Sequence, residues 1–147
     1  MRYFRRRTRR SYRRVRRRTK NDIYQYNLHK ECARALVHKR LEHWNQFYGF
    51  VYKRVSIKDT CSRWGSCSDL GNLNFNYRIV FLPIELVDYL IVHELCHLSE
   101  LNHSQSFWEL VSRTIPEYRT HEATLRTVGI DSYTPGKLGY NATHIHC

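Results

Sequence analysis

Uninterrupted apolar sequence is what this chain of 147 residues has least of. Its most hydrophobic segment, residues 79–98, is broken by Pro83, Glu85, Asp88, His93, Glu94 and His97. A membrane-spanning helix needs roughly 20 consecutive apolar residues, so no span is expected. A secretory signal is not expected either, because the basic residues at the start run into Asn21, Asp22 and polar sequence rather than an apolar segment. The cysteines, Cys32, Cys61, Cys67, Cys96 and Cys147, are odd in number and form no Cys-x-x-Cys pair. That pattern argues against a disulfide framework and against a thiolate zinc knuckle, and it suits a reduced, cytoplasmic setting. Acid is absent from residues 1–20, where eleven Arg and one Lys stand; over residues 21–147, thirteen Lys and Arg face thirteen Asp and Glu. The net charge of +12 therefore belongs to the first 20 residues.

The chain has room for one core. Residues 1–20 carry one sign of charge and only Tyr3, Phe4, Tyr12 and Val15 to bury, which reads as a disordered Arg-rich tail. Residues 21–130 read as the folded domain. From Asn21 or Asp22, either a reasonable N-cap, to Tyr48, the apolar residues Ala33, Leu36, Val37, Leu41, Trp44, Phe47 and Tyr48 recur at helical spacing, and Gly49 is placed to end the helix. Phe50 to Ile57 alternates as a strand does. Arg63 to Cys67 and Leu73 to Phe75 read as two further strands, joined as a hairpin by Ser68-Asp69-Leu70-Gly71-Asn72. Pro83 suits a first helical turn, and apolar steps carry that helix to about Leu101, apolar nearly all round and so buried. Two shorter helices follow, over Phe107 to Ile115 and Glu117 to Val128, and residues 131–147 read as a loose C-terminal tail. The expected class is α+β: an N-terminal helix, a small antiparallel sheet of about three strands, a buried helix and C-terminal helices.

The buried helix carries His93-Glu94-Leu95-Cys96-His97. One helical turn separates His93 from His97, so both imidazoles lie on one face and can grip one ion, the spacing of a hydrolytic zinc site. Glu94 flanks that face, where it can reach a water without being a ligand, as a general base must. A third ligand comes from His103, the nearer candidate, or from Glu117, twenty residues after His97. The His-to-His spacing is also that of metzincins, but those have Gly where this chain has Glu100 and need a downstream methionine; Met1 is the only one here. Cys96, at an interior position of the motif, reads as packing. Tyr77, Tyr89, Tyr118 and His121 are candidates to stabilise an oxyanion, each better suited to a structural role.

Several motifs in order carry a resemblance over roughly residues 55–125. These are Arg63-Trp64-Gly65-Ser66-Cys67 with Gly71-Asn72-Leu73, then Asn76-Tyr77-Arg78 leading to Pro83, then Asp88-Tyr89 running into the histidine motif, then Asn102-His103-Ser104 with Phe107-Trp108. Together they resemble the YgjP-like minimal zinc metallopeptidases, related to the SprT and WLM families. The resemblance implies a zincin-like fold, Zn2+ held by His93, His97 and His103, and Glu94 as catalytic base. It also implies that the strand around Trp64, Gly65, Ser66 and Cys67 borders the cleft that takes a protein or peptide substrate. The tail has no counterpart in that pattern.

Arg-rich, acid-free sequence binds polyphosphates through counterion release, so Arg5, Arg6, Arg7, Arg9, Arg10, Arg13, Arg14, Arg16, Arg17 and Arg18 are candidate nucleic-acid contacts. Two functions fit: a zinc-dependent peptidase tethered to polyanions by its tail, or a nucleic-acid-binding module with a structural or catalytically silent zinc site. Glu94 favours the first, because a structural tetrahedral site has four protein ligands and no use for that carboxylate.

Overall fold

The computed structural model describes residues 17–132. Most of the Arg-rich segment, from Arg5 to Arg16, and nearly all of the expected C-terminal tail lie outside them. The first helix, α1 (Lys20–Tyr48), begins earlier than the sequence suggests: Thr19 is the N-cap, its hydroxyl accepting from the Asp22 amide at 3.1 Å while the Asp22 carboxylate accepts from the Thr19 amide at 2.8 Å. This reciprocal capping box makes Asp22 the third helical residue and not the cap. The helix ends as expected at Gly49, whose φ of 66° is the left-handed conformation that glycine adopts without strain. With 29 residues it is about 43 Å long, and only its middle, Ala33, Val37 and Leu41 at four-residue steps, is buried.

Three strands follow: β1 (Arg54–Lys58), β2 (Gly65–Cys67) and β3 (Asn72–Asn76). The expected hairpin is there, with β2 antiparallel to β3 and Ser66 opposite Asn74. The expected antiparallel sheet is not, since the order is β1-β3-β2 and β1 runs parallel to β3, with Ile57 beside Phe75. The reason is topological. The loop after β1 carries the chain past the site of β3 to the outer edge, and the hairpin then brings β3 back between the other two strands, necessarily parallel to β1. The strand expected from Phe50 also begins only at Arg54.

A short 3₁₀ turn, Tyr77–Phe81, buries Tyr77 and Ile79 and leads into α2 (Ile84–Cys96), which has Pro83 as its N-cap. Leu86, Val87, Leu90, Ile91, Val92 and Leu95 of α2 are all buried, each contributing roughly 1.5–3 kcal/mol. α2 touches α1, β2, α3 (Gln105–Ser112) and α4 (Tyr118–Thr127), so it is the central element. A last 3₁₀ turn, Ile130–Ser132, tucks Ile130 into the core. No helix among the described residues is long and apolar enough to cross a membrane.

Polar contacts fix the long helix against the rest. Arg40 donates twice to Asp88 of α2, at 2.6 and 2.9 Å, with both side chains largely buried. Tyr48 reaches the Leu110 carbonyl of α3 at 2.8 Å, and Tyr26 the Ile57 carbonyl of β1 at 3.0 Å. Removing one partner of a two-point, desolvated pair strands the other charge. Asp88→Asn is therefore expected to lower unfolding stability by about 2 kcal/mol, read as an earlier urea midpoint at unchanged slope; a wild-type midpoint would show that the pair holds nothing.

Candidate metal centre

His93 lies in the last turn of α2 and His97 is its C-terminal cap residue, with φ −65° and ψ −17°. The regular helix thus stops at Cys96, five residues before the expected end. Its final amides tighten onto nearer carbonyls, Leu98 to Leu95 at 3.0 Å and Ser99 to Cys96 at 3.1 Å, and the chain turns. The turn serves two histidines. It brings the Glu100 carbonyl to 3.0 Å from Nδ1 of His97, and it returns His103 to His93. Ser104 then caps α3 at once, its hydroxyl accepting from the Phe107 amide at 3.3 Å, so Phe107 and Trp108 come up against the histidine rings. Phe107 stacks on His97 at 4.5 Å between centroids and Trp108 on His103 at 5.6 Å.

The three imidazoles converge through one nitrogen each. Nε2 of His93 is 3.2 Å from Nε2 of His97 and 3.0 Å from Nε2 of His103, and the three ligating atoms all lie within 4.8 Å of one another. A carbonyl only accepts, so His97 carries its proton on Nδ1 and turns the lone pair of Nε2 inward. Nδ1 of His93 is engaged on the outer side by the Tyr89 hydroxyl at 3.3 Å. Burial, then the neighbouring rings of His97 and His103, pushes His93 down to about 3. Burial also lowers His97, against the opposing pull of its carbonyl bond. Neutral rings with lone pairs aimed at a common point are the donor set that a divalent cation needs. The residues fit a metal ion.

Glu94 stands apart from this cluster. It is buried at 5% exposure, and its Oε2 has no hydrogen-bond partner among the described residues. Burial pushes its carboxyl up to about 8, partly opposed by the positive charge of Arg63. A buried acceptor left unpaired costs free energy that a partner entering the site returns. The carboxylate lies directly against β2. A methyl group added at Gly65 would sit 2.6 Å from Oε1 and 2.9 Å from Cγ of Glu94, so only glycine lets strand and carboxylate meet this closely.

The remaining sequence candidates distribute as follows. Trp64 is part of the core; Gly65, Ser66 and Cys67 form the outer strand of the sheet, half-buried. The Cys67 thiol is pushed up to about 11 by burial and by the charge of Glu94. Cys96 is fully buried and free, as a packing residue is. Glu117 precedes the first residue of α4 and is outside the cluster that His93, His97 and His103 form. Tyr77 packs against Tyr26 and Phe81 in the core. Tyr89 backs His93, His121 lies over Tyr89 at 6.0 Å, and Tyr118 stacks on Trp108 at 4.8 Å. Arg17 is exposed, whereas Arg18 is bound to Asp59 at 3.2 Å. Two contributors went unseen in the sequence. The Glu100 backbone is signalled only by where the helix stops, and the charge of Arg63 at Glu94 acts across a strand with no spacing to betray it.

A sequence profile described as the YgjP-like metallopeptidase domain matches residues 4–128. Among solved structures, the crystal structure of the metallopeptidase zymogen of Pyrococcus abyssi abylysin is similar at a TM-score of 0.57 and 27% identity, covering 62% of this chain and 92% of that one. No curated protein matches. Because the profile runs from within the Arg-rich segment to the end of α4, and the fold it accompanies is shared with a metallopeptidase, this chain belongs to the YgjP-like family of metallopeptidase domains.

Proposed function

We propose that this metallopeptidase is zinc-dependent, with the ion held by His93, His97 and His103 and with Glu94 as the general base of peptide hydrolysis. The observation that carries the reading is the convergence of three Nε2 atoms beside a buried carboxylate whose Oε2 has no partner among the described residues. Imidazole nitrogens about 2.0–2.1 Å from a tetrahedral zinc stand about 3.3 Å apart, close to the 3.0 and 3.2 Å found here. Zinc supplies Lewis-acid chemistry: it polarises a carbonyl and acidifies water. Glu94 accepts the proton of the attacking water and delivers it to the leaving amide nitrogen. The three-nitrogen donor set leaves a corner for chemistry, where a purely structural site takes a fourth protein ligand.

The substrate is held by strand addition along β2. The Trp64 carbonyl accepts from the Asn76 amide at 2.7 Å, and the Ser68 amide donates to Asn72 at 3.0 Å. In an antiparallel pair the inward and outward groups alternate, so Gly65 and Cys67 turn their amides and carbonyls to the free edge. A peptide paired there lies against the strand that touches Glu94. Residues 5–16 of the Arg-rich segment are proposed to tether the enzyme to polyanions. Salt-sensitive retardation of a DNA duplex by residues 1–147, undiminished on removal of residues 1–16, would overturn that part.

Three substitutions test the site in one assay of bound zinc and casein hydrolysis. Glu94→Gln is expected to keep zinc and lose turnover by at least about a hundredfold. His103→Ala is expected to weaken zinc binding by about tenfold or more. Gly65→Ala is expected to retain zinc and lose activity, because the new methyl displaces the carboxylate. Normal hydrolysis by Glu94→Gln defeats the proposal.

A further inference from the structure

On the face of the sheet served by Ser66, a cleft of ≈ 290 Å³ is lined by Lys58, Thr60, Ser62, Arg63, Ser66 and Asn74 over a floor of core residues. Its polar lining is two cations, hydroxyls and the amides of Asn74 and Asn76, and no carboxylate contributes. We propose that this cleft is a specificity subsite that selects an acidic side chain, Asp or Glu, in the peptide substrate. The inference rests on the peptidase reading above and deepens it.

The cations of the cleft, Lys58 and Arg63, are both exposed and form no ion pair among the described residues, although Arg63 also acts on Glu94 from a distance, and the loop that carries Arg63 is held in place. The acid nearest in sequence, Asp59, is spent on two other cations, Arg78 at 2.7 Å and Arg18 at 3.2 Å. Glu94 lies across β2, against Gly65. The loop that presents Arg63 is pinned from below. Asn76, buried at 1% exposure, donates to the Thr60 carbonyl at 2.6 Å and the Arg63 carbonyl at 3.3 Å, and the Thr60 hydroxyl donates to Arg63 at 2.9 Å. Trp64, the next residue, is anchored in the core. Arg63 thus presents a planar two-point donor from a fixed backbone, which suits a carboxylate.

The cleft is also in register with the substrate edge. Along β2, Gly65 faces Glu94 and Ser66 faces the other way, where its hydroxyl accepts from Nδ2 of Asn74 at 3.2 Å. A peptide added to the strand alternates in the same manner, so every second side chain turns to the Ser66 face and the cations beside it. Nucleic acid fits the cleft less well. Its aromatic residues, Trp64 and Phe75, are 9% and 1% exposed, so no open ring is offered for a base to stack on.

The test uses the zinc-loaded full chain and decapeptides carrying Glu or Gln at alternate positions. In wild type, kcat/KM is expected to favour the Glu series by about tenfold, the factor of one charge-assisted hydrogen bond. In the Lys58→Gln/Arg63→Gln double variant that ratio is expected to fall to within about twofold of unity, and Arg63→Glu is expected to reverse it toward Lys-containing peptides. The Arg-rich segment is common to all these chains, so their differences report on the cleft. A binding arm measures fluorescence anisotropy of the same peptides on the Glu94→Gln chain, where no turnover is needed. Glu-selective binding lost in the double variant, without cleavage by wild type, supports the subsite and defeats the peptidase reading. Cleavage with an equal Glu-to-Gln ratio in wild type and double variant overturns the subsite alone. Displacement of the Glu peptide by a twelve-nucleotide oligothymidylate whose affinity falls with the same two substitutions overturns it in favour of nucleic acid.

Discussion

The constraint on which this fold turns is that α2 is buried over most of its surface while carrying His93 and Glu94, with His97 at its end, toward the interior. Neutral imidazoles meet that demand because each ring can satisfy one nitrogen outward, His97 on the Glu100 carbonyl and His93 at the Tyr89 hydroxyl, and keep the other free. Glu94 does not meet it. Its Oε2 is left without a partner among the described residues, a cost borne by the surrounding hydrophobic burial. Polar groups held this way in a core are stabilised by what enters the site, and so the same residues that weaken the metal-free chain give it chemistry.

The rest of the architecture serves that helix. α3 begins immediately after His103 and supplies Phe107 and Trp108 as walls for the rings. β2 runs past Glu94 at a distance that only Gly65 permits, so the outer strand and the carboxylate are fixed relative to one another. Asp59 gathers Arg78 from beneath the sheet and Arg18 from the start of the chain, which fastens the end of the Arg-rich segment to the loop beside β2.

What could be read from the sequence was whatever is local along the chain. The turn between His93 and His97, the glycine stop of α1, the hairpin between β2 and β3 and the order of helices all follow from spacing and capping chemistry. The family resemblance, drawn over roughly residues 55–125 from Arg63-Trp64-Gly65-Ser66-Cys67 and the histidine motifs, agrees with the profile there, but the profile begins at residue 4 and so takes in most of the Arg-rich segment, where the motifs offer no counterpart. The failures have non-local causes. Parallel pairing of β1 with β3 leaves no local signature, because it depends on where a loop carries the chain. The early end of α2 follows from the need of His97 and His103 for the same point in space, which overrides an apolar periodicity that continues through Leu98 and Leu101. Thr19 was assigned to the tail because the acid that completes its capping box, Asp22, itself reads as a cap. His103 is the nearer of the two third-ligand candidates in sequence, and the fold sets it beside His93 while Glu117 stands at the start of α4.

The account's central claim, three imidazoles around one open-cornered zinc, is tested most directly by X-ray absorption at the zinc edge on the zinc-loaded chain. It predicts one equivalent of zinc with a shell of nitrogen and oxygen scatterers at about 2.0–2.1 Å and no sulfur, three of them imidazoles by their outer-shell scattering. A sulfur shell at about 2.3 Å, or four imidazoles closing the site, would contradict it.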